Sequence, residues 1–389
     1  MPEYVSSLNP RMLVWARETA GLSIEEAAQT MDKPPDALRD WETGASAPTY
    51  IQLETLAYKV YKRPVAIFFL PEPPDEPEPQ RSFRTLPQSE VDRLASVTRF
   101  RLRQARALQL SLYTLTGGRN PAPNRIFRDF PQALITPVPA LAADVRTYLD
   151  ISIAAQTEKW ESTDQALKAW REAIESSGVF VFKNTFPQKD FSGFCLFDSE
   201  FPIIYLNNST PKTRQVFTIF HELAHILTGV SGITTTRDRF IQRLTGNARQ
   251  IEIFCNAFAA EFLVPMAHFR TTLTQMGTDD EAISRVADAY KVSREVILRR
   301  LLDTGGITSE YYEQKASVWT DEYLSQPSKG SGGNYYLTTA AYLGDKYMRL
   351  AFRRFYEGTI SLYELADHLG IRATSVPGLE QRVLETAET

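Results

Sequence analysis

The sequence has few cysteines and histidines and no long apolar run. Of its 389 residues, 2 are cysteine and 4 are histidine. Cys195 and Cys255 cannot build the disulfide framework of a small secreted fold, so we expect a cytoplasmic protein. The longest strongly apolar stretch, residues 65–70, is too short to cross a bilayer. The first ten residues lack the basic flank and apolar core of a signal peptide, and we expect no membrane contact.

The chain also lacks a large excess of charge of either sign. Its net charge of −4 argues against a protein that coats nucleic acid through bulk charge. Residues 81–130 are an exception, with ten arginines against three acids. A helix predicted there places Arg99, Arg103 and Arg106 on one face. This face is either exposed to solvent or binds phosphates or an acidic surface of a partner.

The length predicts two or three domains. The sequence predicts three strands, at 178–182, 193–197 and 202–206, followed by long helices. This order is typical of an α+β fold. The predicted organisation is a helical domain at 1–70, an acidic proline-rich linker at 71–87, an arginine-rich helical connector at 88–135, an α+β domain at 136–305, a linker at 306–334 and a helical C-terminal domain at 335–389.

The most informative motif is an HExxH sequence at residues 221–225. Two histidines at i and i+4, His221 and His225, leave a helix on one face and can reach one metal ion. Glu222 can polarise a water bound to that metal. The flanking residues are largely apolar, which indicates a buried helix whose polar side chains need partners. The alternative is a pair of core histidines satisfied by hydrogen bonds.

A catalytic zinc site needs a third protein ligand and an open position for water. We predict Glu252 as this ligand because it lies among apolar residues of the next long helix. Asn256 shares its face at i+4 and is a candidate to support the site. Cys255 is nearby on the same side; it either coordinates the metal or fills the core as a small apolar residue.

These residues resemble the ImmA/IrrE family of metallopeptidases. The shared features are a strand that ends at Asn207, the Phe217–Thr218 step, the HExxH motif and the stretch 252–265, in which Cys255 replaces the usual alanine. The resemblance implies a zincin-like core with a small antiparallel or mixed sheet and an active-site helix. It also implies that His221, His225 and Glu252 bind Zn²⁺, that Glu222 is the general base, and that the strand at 193–197 is an edge to which a substrate peptide adds. From its position soon after Pro265, His268 is a candidate for stabilising the oxyanion; the alternative is a surface or capping histidine.

A second resemblance lies near the N-terminus. Residues 13–48 are similar to an Xre-type helix-turn-helix domain, through Ala16–Arg17, the opening of a second helix at 21–23, Ala27–Ala28 and the closing pattern at 41–48. Such a domain would place Pro35, Asp36 and Arg39 in a DNA major groove. Acidic residues outnumber basic ones there, and phosphate contacts favour the reverse. The alternative is a protein-contact or dimerisation module. The sequence patterns at 282–302 and 360–372 also resemble helix-turn-helix pairs. The alternative is that both are packing modules.

The predicted function is that of a cytoplasmic zinc endopeptidase that regulates transcription, or a stress or mobile-element response, by cleaving a partner protein such as a repressor. A rival interpretation is an antitoxin that binds a toxin, such as a PIN-type ribonuclease, and represses its own promoter. A third is a zinc-sensing transcription factor. The partners expected are thus a protein substrate or a cognate toxin, DNA through the N-terminal domain, and a second copy in a homodimer.

Overall fold

The protein divides into two units, Met1–Arg106 and Ala107–Thr389. The computed structural model describes residues 4–5, 7–74, 94–186, 191–235, 241, 243–273, 277, 279–325 and 334–385. Of the two predicted linkers, residues 75–87 and 326–333 lie outside these described ranges. The division between the units falls within a helix, α5 (Ser96–Thr116).

The first unit is built from short helices around its own apolar core. Asn9 and Ser23 cap the first two helices, and Ser23 forms the reciprocal capping box with Glu26 that the sequence predicts. Gly21 and Gly44 end α1 and α3 in the left-handed conformation that glycine adopts without strain. The helices are α1 (Pro10–Ala20), α2 (Ile24–Thr30), α3 (Pro35–Thr43) and α4 (Tyr50–Glu54). A π-helical segment (Thr55–Tyr61) continues α4, and a separate 3-10 helix (Val65–Phe69) follows it.

A mixed sheet lies in the second unit. Its strands are β1 (Phe180–Asn184), β2 (Phe191–Leu196), β3 (Ile203–Asn207) and β4 (Ile233–Thr235), in the order β1-β3-β2-β4. β1 runs parallel to β3, whereas β2 is antiparallel to both β3 and β4. The predictions of three strands and of a small mixed sheet are therefore confirmed. The expectation that residues 193–197 form an edge is wrong, because β4 pairs with the outer side of β2.

Helices of the second unit surround this sheet. Trp170 lies at the centre of the core and makes edge-on ring contacts with Phe220 and Phe262. Asn207 at the end of β3 ties neighbouring segments together, since its side chain donates to Phe191 O and accepts from Phe186 N. The helices are α6 (Ile126–Asp129), α7 (Val138–Tyr148), α8 (Thr163–Ser176), α9 (Lys212–Leu227), α10 (Gly246–Leu263), α11 (Met266–Leu273), α12 (Asp280–Tyr290), α13 (Arg294–Asp303), α14 (Ser309–Ser325), α15 (Tyr335–Leu343), α16 (Asp345–Tyr356), α17 (Leu362–Leu369) and α18 (Val376–Glu385).

Helix α14 occupies most of the range 306–334, for which the sequence predicts a linker. Tyr312 is buried in the core of the second unit and Trp319 packs against it. The guanidinium of Arg294 lies 4.5 Å from the Trp319 ring centroid, a cation–π contact. Because these stabilising contacts come from residues distant in sequence, local composition gives little sign of the helix.

No single helix among the described residues is long and apolar enough to cross a membrane. Helices α10 and α11 pass such a test only when they are taken together, and they are bent by 55° at the break between them. Many α10 side chains, including Phe258 and Phe262, are instead buried in the core of the second unit. This pair is therefore accounted for by packing within the fold.

Candidate metal centre

The HExxH motif lies on the buried helix α9. All five residues of the motif are buried, and the apolar face formed by Val216, Ile219 and Phe220 packs into the core, which makes the motif inaccessible. His221, Glu222 and His225 are only 2%, 0% and 1% exposed. Buried polar side chains are stable only when they have partners.

Glu252 of α10 supplies such a partner. Its Oε2 lies 3.3 Å from His221 Nε2, and its Oε1 lies 3.2 Å from His225 Nε2. Ligands that bind one zinc ion tetrahedrally at about 2.0–2.2 Å are about 3.3–3.6 Å from one another. The structure thus places one oxygen of the Glu252 carboxylate beside each of the two histidines.

Asn256 fixes the orientation of His221. The Asn256 Oδ1 atom lies 2.9 Å from His221 Nδ1, and because a carbonyl oxygen only accepts, Nδ1 carries the proton. His221 Nε2 then offers a lone pair towards the Glu252 carboxylate, and it has no hydrogen-bond donor among the described residues. Two acceptors that face each other repel unless a positive charge lies between them. The donor set therefore fits a metal cation.

The electrostatics of the site favour positive charge. Burial opposes protonation of His225, but Cys255 and Glu252 beside it outweigh this and raise the pKa of His225 well above its usual value. Burial raises the pKa of Glu252, whereas the two histidines lower it more strongly, to about 2. The local field thus favours an ionised carboxylate together with a neighbouring positive charge.

Glu222 lies beside this cluster, and Thr234 of β4 holds it. The Thr234 hydroxyl donates a hydrogen bond to Glu222 Oε1, while Oε2 has no partner among the described residues. Burial and the nearby Glu222 carboxylate raise the pKa of the Cys195 thiol, so that thiol stays protonated. One carboxylate oxygen of Glu222 is thus anchored and the other is available to accept a proton.

Gly232 closes the other side of the histidine pair. Its backbone N–H donates to Cys195 Sγ at 3.2 Å, and its carbonyl accepts from Cys195 N at 3.0 Å. A Cβ at this position would lie 2.3 Å from His225 Cδ2 and 2.6 Å from Nε2. The sequence analysis missed Gly232 and Thr234, because nothing in the local pattern places residues 232–235 next to the HExxH helix.

We expect Gly232→Ala to weaken metal binding by displacing His225. The imidazole has little space to move because it is buried in the core, so the new methyl group must alter its orientation. Zinc should therefore be removed from the variant by a chelator at concentrations that leave the wild type loaded. Gly306→Ala is the matched control, since its Cβ would be no closer than 3.4 Å to any neighbour. Equal chelator resistance of all three proteins would contradict this role of Gly232.

Cys255 is the third member of a group of buried metal-ligating side chains with His221 and His225. One donor atom from each of these residues lies within 4.8 Å of those of the other two. Burial raises the pKa of the Cys255 thiol to about 11, and His225 beside it lowers this pKa only partly. The cysteine therefore lies beside the two histidines, within the apolar core of the second unit.

A cavity of about 650 Å³ opens from the centre. His221, Thr234, Glu252 and Asn256 line it at the metal centre. Charged side chains of both signs line the remainder, and one buried pair, Arg300 with Glu261 at 2.8 Å, joins α13 to α10. The other charged lining residues are Arg214, Arg249, Glu295, Arg299 and Asp303. Because α13 packs in this way, residues 282–302 serve as part of the cavity wall and core.

His268 is not among the residues that line this cavity. Its Nδ1 lies 2.6 Å from the Tyr290 hydroxyl, and the two rings make an edge-on contact. This placement gives the side chain a packing role between α11 and α12. The structure therefore does not bring His268 to the site as an oxyanion donor, and the alternative of a histidine without a role there is favoured.

The candidate DNA-contacting residues lie at the start of α3 in the first unit. Arg39 pairs with Asp36 at 2.6 Å and with Glu25 of α2 at 2.9 Å. Its guanidinium is thus already matched by two carboxylates, which reduces its attraction for phosphate. Pro35 begins the helix and brings no charge. Another residue of the resembling pattern, Arg17, pairs with Glu42 within the unit at 2.7 Å.

Residues 174–302 match the family model of Peptidase M78, described as the IrrE N-terminal-like domain. The matched range holds the sheet, the HExxH helix and Glu252, and it covers about a third of the chain. It supports the resemblance to the ImmA/IrrE family for this part of the protein and indicates a metallopeptidase-type domain. No curated protein matches the chain.

Proposed function

We propose that this protein is a zinc-dependent endopeptidase that cleaves a partner protein, such as a repressor, and thereby regulates transcription. The observation that carries the proposal is the convergence of His221, His225 and Glu252 with a buried carboxylate, Glu222, directly beside them. A closed structural metal site has no use for an ionisable group at this position. The match to a peptidase family model over residues 174–302 supports the same reaction class.

In peptide hydrolysis, the residues of the centre would have three roles: metal binding, proton transfer and positioning. Zinc, when bound by the two histidines and Glu252, supplies a Lewis acid that lowers the pKa of water and polarises the scissile carbonyl. Glu222 Oε2 accepts the proton of the attacking water and delivers it to the leaving amine. Thr234 keeps the Glu222 carboxylate in place, and Asn256 keeps His221 in the tautomer whose Nε2 can bind metal.

The cavity favours a polypeptide substrate. Its volume of about 650 Å³ accommodates several residues, and its lining combines apolar side chains with charges of both signs. Such a lining can form hydrogen bonds and ion pairs with the backbone and side chains of a polypeptide, and it is not specific for one small molecule. β4, at the end of the described strand order, carries Thr234 to the wall of this cavity, and Thr234 in turn holds Glu222, which is not itself a lining residue.

The first unit is assigned a protein-contact role in this proposal. The side chain that would approach DNA from α3, Arg39, is paired with Asp36 and Glu25. Tyr50 and Ile51 of α4 are instead largely exposed, as surfaces that contact proteins often are. Contact with a partner protein is therefore preferred to contact with DNA.

The third ligand is tested by Glu252→Gln. An amide is a much weaker metal ligand than a carboxylate, and it also removes the negative charge that the histidines face. We expect the variant to purify with a small fraction of the zinc that the wild type holds, measured by elemental mass spectrometry. Glu261→Gln is the matched control, because Glu261 is a buried carboxylate of the same helix that pairs with Arg300 instead. Normal zinc content in Glu252→Gln would show that the third ligand is wrongly assigned.

A further inference from the structure

The metal centre has more potential protein donors than a catalytic zinc site requires. His221 and His225 each offer a ring nitrogen and Glu252 offers its carboxylate, which already makes the usual set of three. Cys255 follows Glu252 by three residues on α10, so both side chains leave the helix on the same side. Its sulfur lies within 4.8 Å of one ring nitrogen of each histidine, in a group that does not include Glu252.

The ring nitrogens of His221 and His225 that face the metal centre have no hydrogen-bond donor among the described residues. Both Nε2 atoms face the Glu252 carboxylate at 3.2–3.3 Å but form no hydrogen bond among the described residues, and each histidine is at least 98% buried. Unpartnered polar atoms at such depth indicate a ligand that supplies what they lack. A sulfur among nitrogen donors is a common environment of zinc, since thiolate and imidazole are its preferred ligands.

We propose that Cys255 is a fourth protein ligand of the metal, which makes the set two histidines, one glutamate and one cysteine. The inference rests on the proposed function in that it requires a metal at this site. When the thiol coordinates, the S–H bond breaks, its proton leaves to solvent and a sulfur–metal bond forms. Four protein ligands complete a tetrahedral site, so a water molecule must displace one of them or add as a fifth ligand.

The other buried cysteine provides an internal comparison. Cys195 lies on β2, where Gly232 N–H donates to its sulfur, and it is not part of the metal-ligating group. The chain holds only these two cysteines. Any thiolate-to-metal signal that persists in Cys195→Ala must therefore come from Cys255, even if Cys255→Ala itself fails to fold.

The test is a cobalt titration of the full-length, metal-free protein, followed by absorption spectroscopy. Cobalt(II) replaces zinc, and a thiolate ligand gives an intense near-ultraviolet charge-transfer band that nitrogen and oxygen ligands do not give. We expect this band in the wild type and in Cys195→Ala at one equivalent of cobalt, and its complete loss in Cys255→Ala.

The possible outcomes separate this inference from the proposed function. Cobalt that binds stoichiometrically to the wild type without the charge-transfer band overturns the role of Cys255 and leaves the metal centre intact. A band that disappears in Cys195→Ala but persists in Cys255→Ala also overturns it. If the wild type binds no cobalt and no zinc, both the inference and the metallopeptidase proposal are wrong.

Discussion

Replacement of Glu222 by glutamine should abolish peptide hydrolysis while the protein keeps its metal. The side chain keeps its shape, and its amide oxygen can still accept the hydrogen bond from Thr234. The amide cannot accept a proton from water, however, so the general-base contribution of about 10²–10⁴-fold is lost. The three proposed ligands are unchanged, and zinc content should therefore equal that of the wild type.

The measurement is the appearance of new peptide termini in a proteome-derived peptide library, read by mass spectrometry, together with zinc content. Glu175→Gln is the control, because it changes a buried carboxylate of the same unit that pairs with Arg171 and is not among the residues lining the cavity. We expect this control to cleave the library as the wild type does. Undiminished cleavage by Glu222→Gln would remove the residue from the mechanism.

His225→Ala should lose both the metal and part of the stability of the second unit. The imidazole is buried between Gly232 and Glu252, and its removal leaves a cavity and takes one of two histidine partners from the buried Glu252 carboxylate. We expect the free energy of unfolding to fall by about 2–5 kcal/mol, as for other large-to-small substitutions in a core. Zinc at a hundred times its dissociation constant should stabilise the wild type by about a further 2.7 kcal/mol.

Thermal unfolding with and without zinc measures both effects. The wild type should unfold at a higher temperature when zinc is added, whereas His225→Ala should show no zinc-dependent shift. His268→Ala is the matched control, because His268 contacts Tyr290 and is not among the residues lining the cavity. It should keep the full zinc-dependent shift. A zinc-dependent shift of normal size in His225→Ala would contradict its role as a ligand.

Much of the candidate site could be predicted because its residues are related by helical periodicity. The i, i+4 spacing pairs His221 with His225 and Glu252 with Asn256, and the structure brings these four residues together. Helix and strand patterns likewise predict α9, α10 and the first three strands. Local spacing is sufficient for such features because each is fixed within one element.

Features that depend on contacts between distant segments could not be predicted in this way. The three-residue strand β4 gives no local signal, yet it brings Thr234 to Glu222 and makes β2 an interior strand. The proximity of Gly232 to His225 is visible only once β4 is placed beside α9. The same limit applies to Arg39, whose pairing with Glu25 depends on how α2 meets α3.

The most direct test of the central claim is to identify the proteins that wild type and Glu222→Gln retain in the native host. Both are tagged, purified under the same conditions and compared by mass spectrometry. We predict that the inactive variant holds an intact partner protein, such as a repressor, and that this partner is cleaved or absent with the wild type. A toxin-like nuclease held intact and equally by both would contradict the peptidase proposal and would identify the protein as an antitoxin.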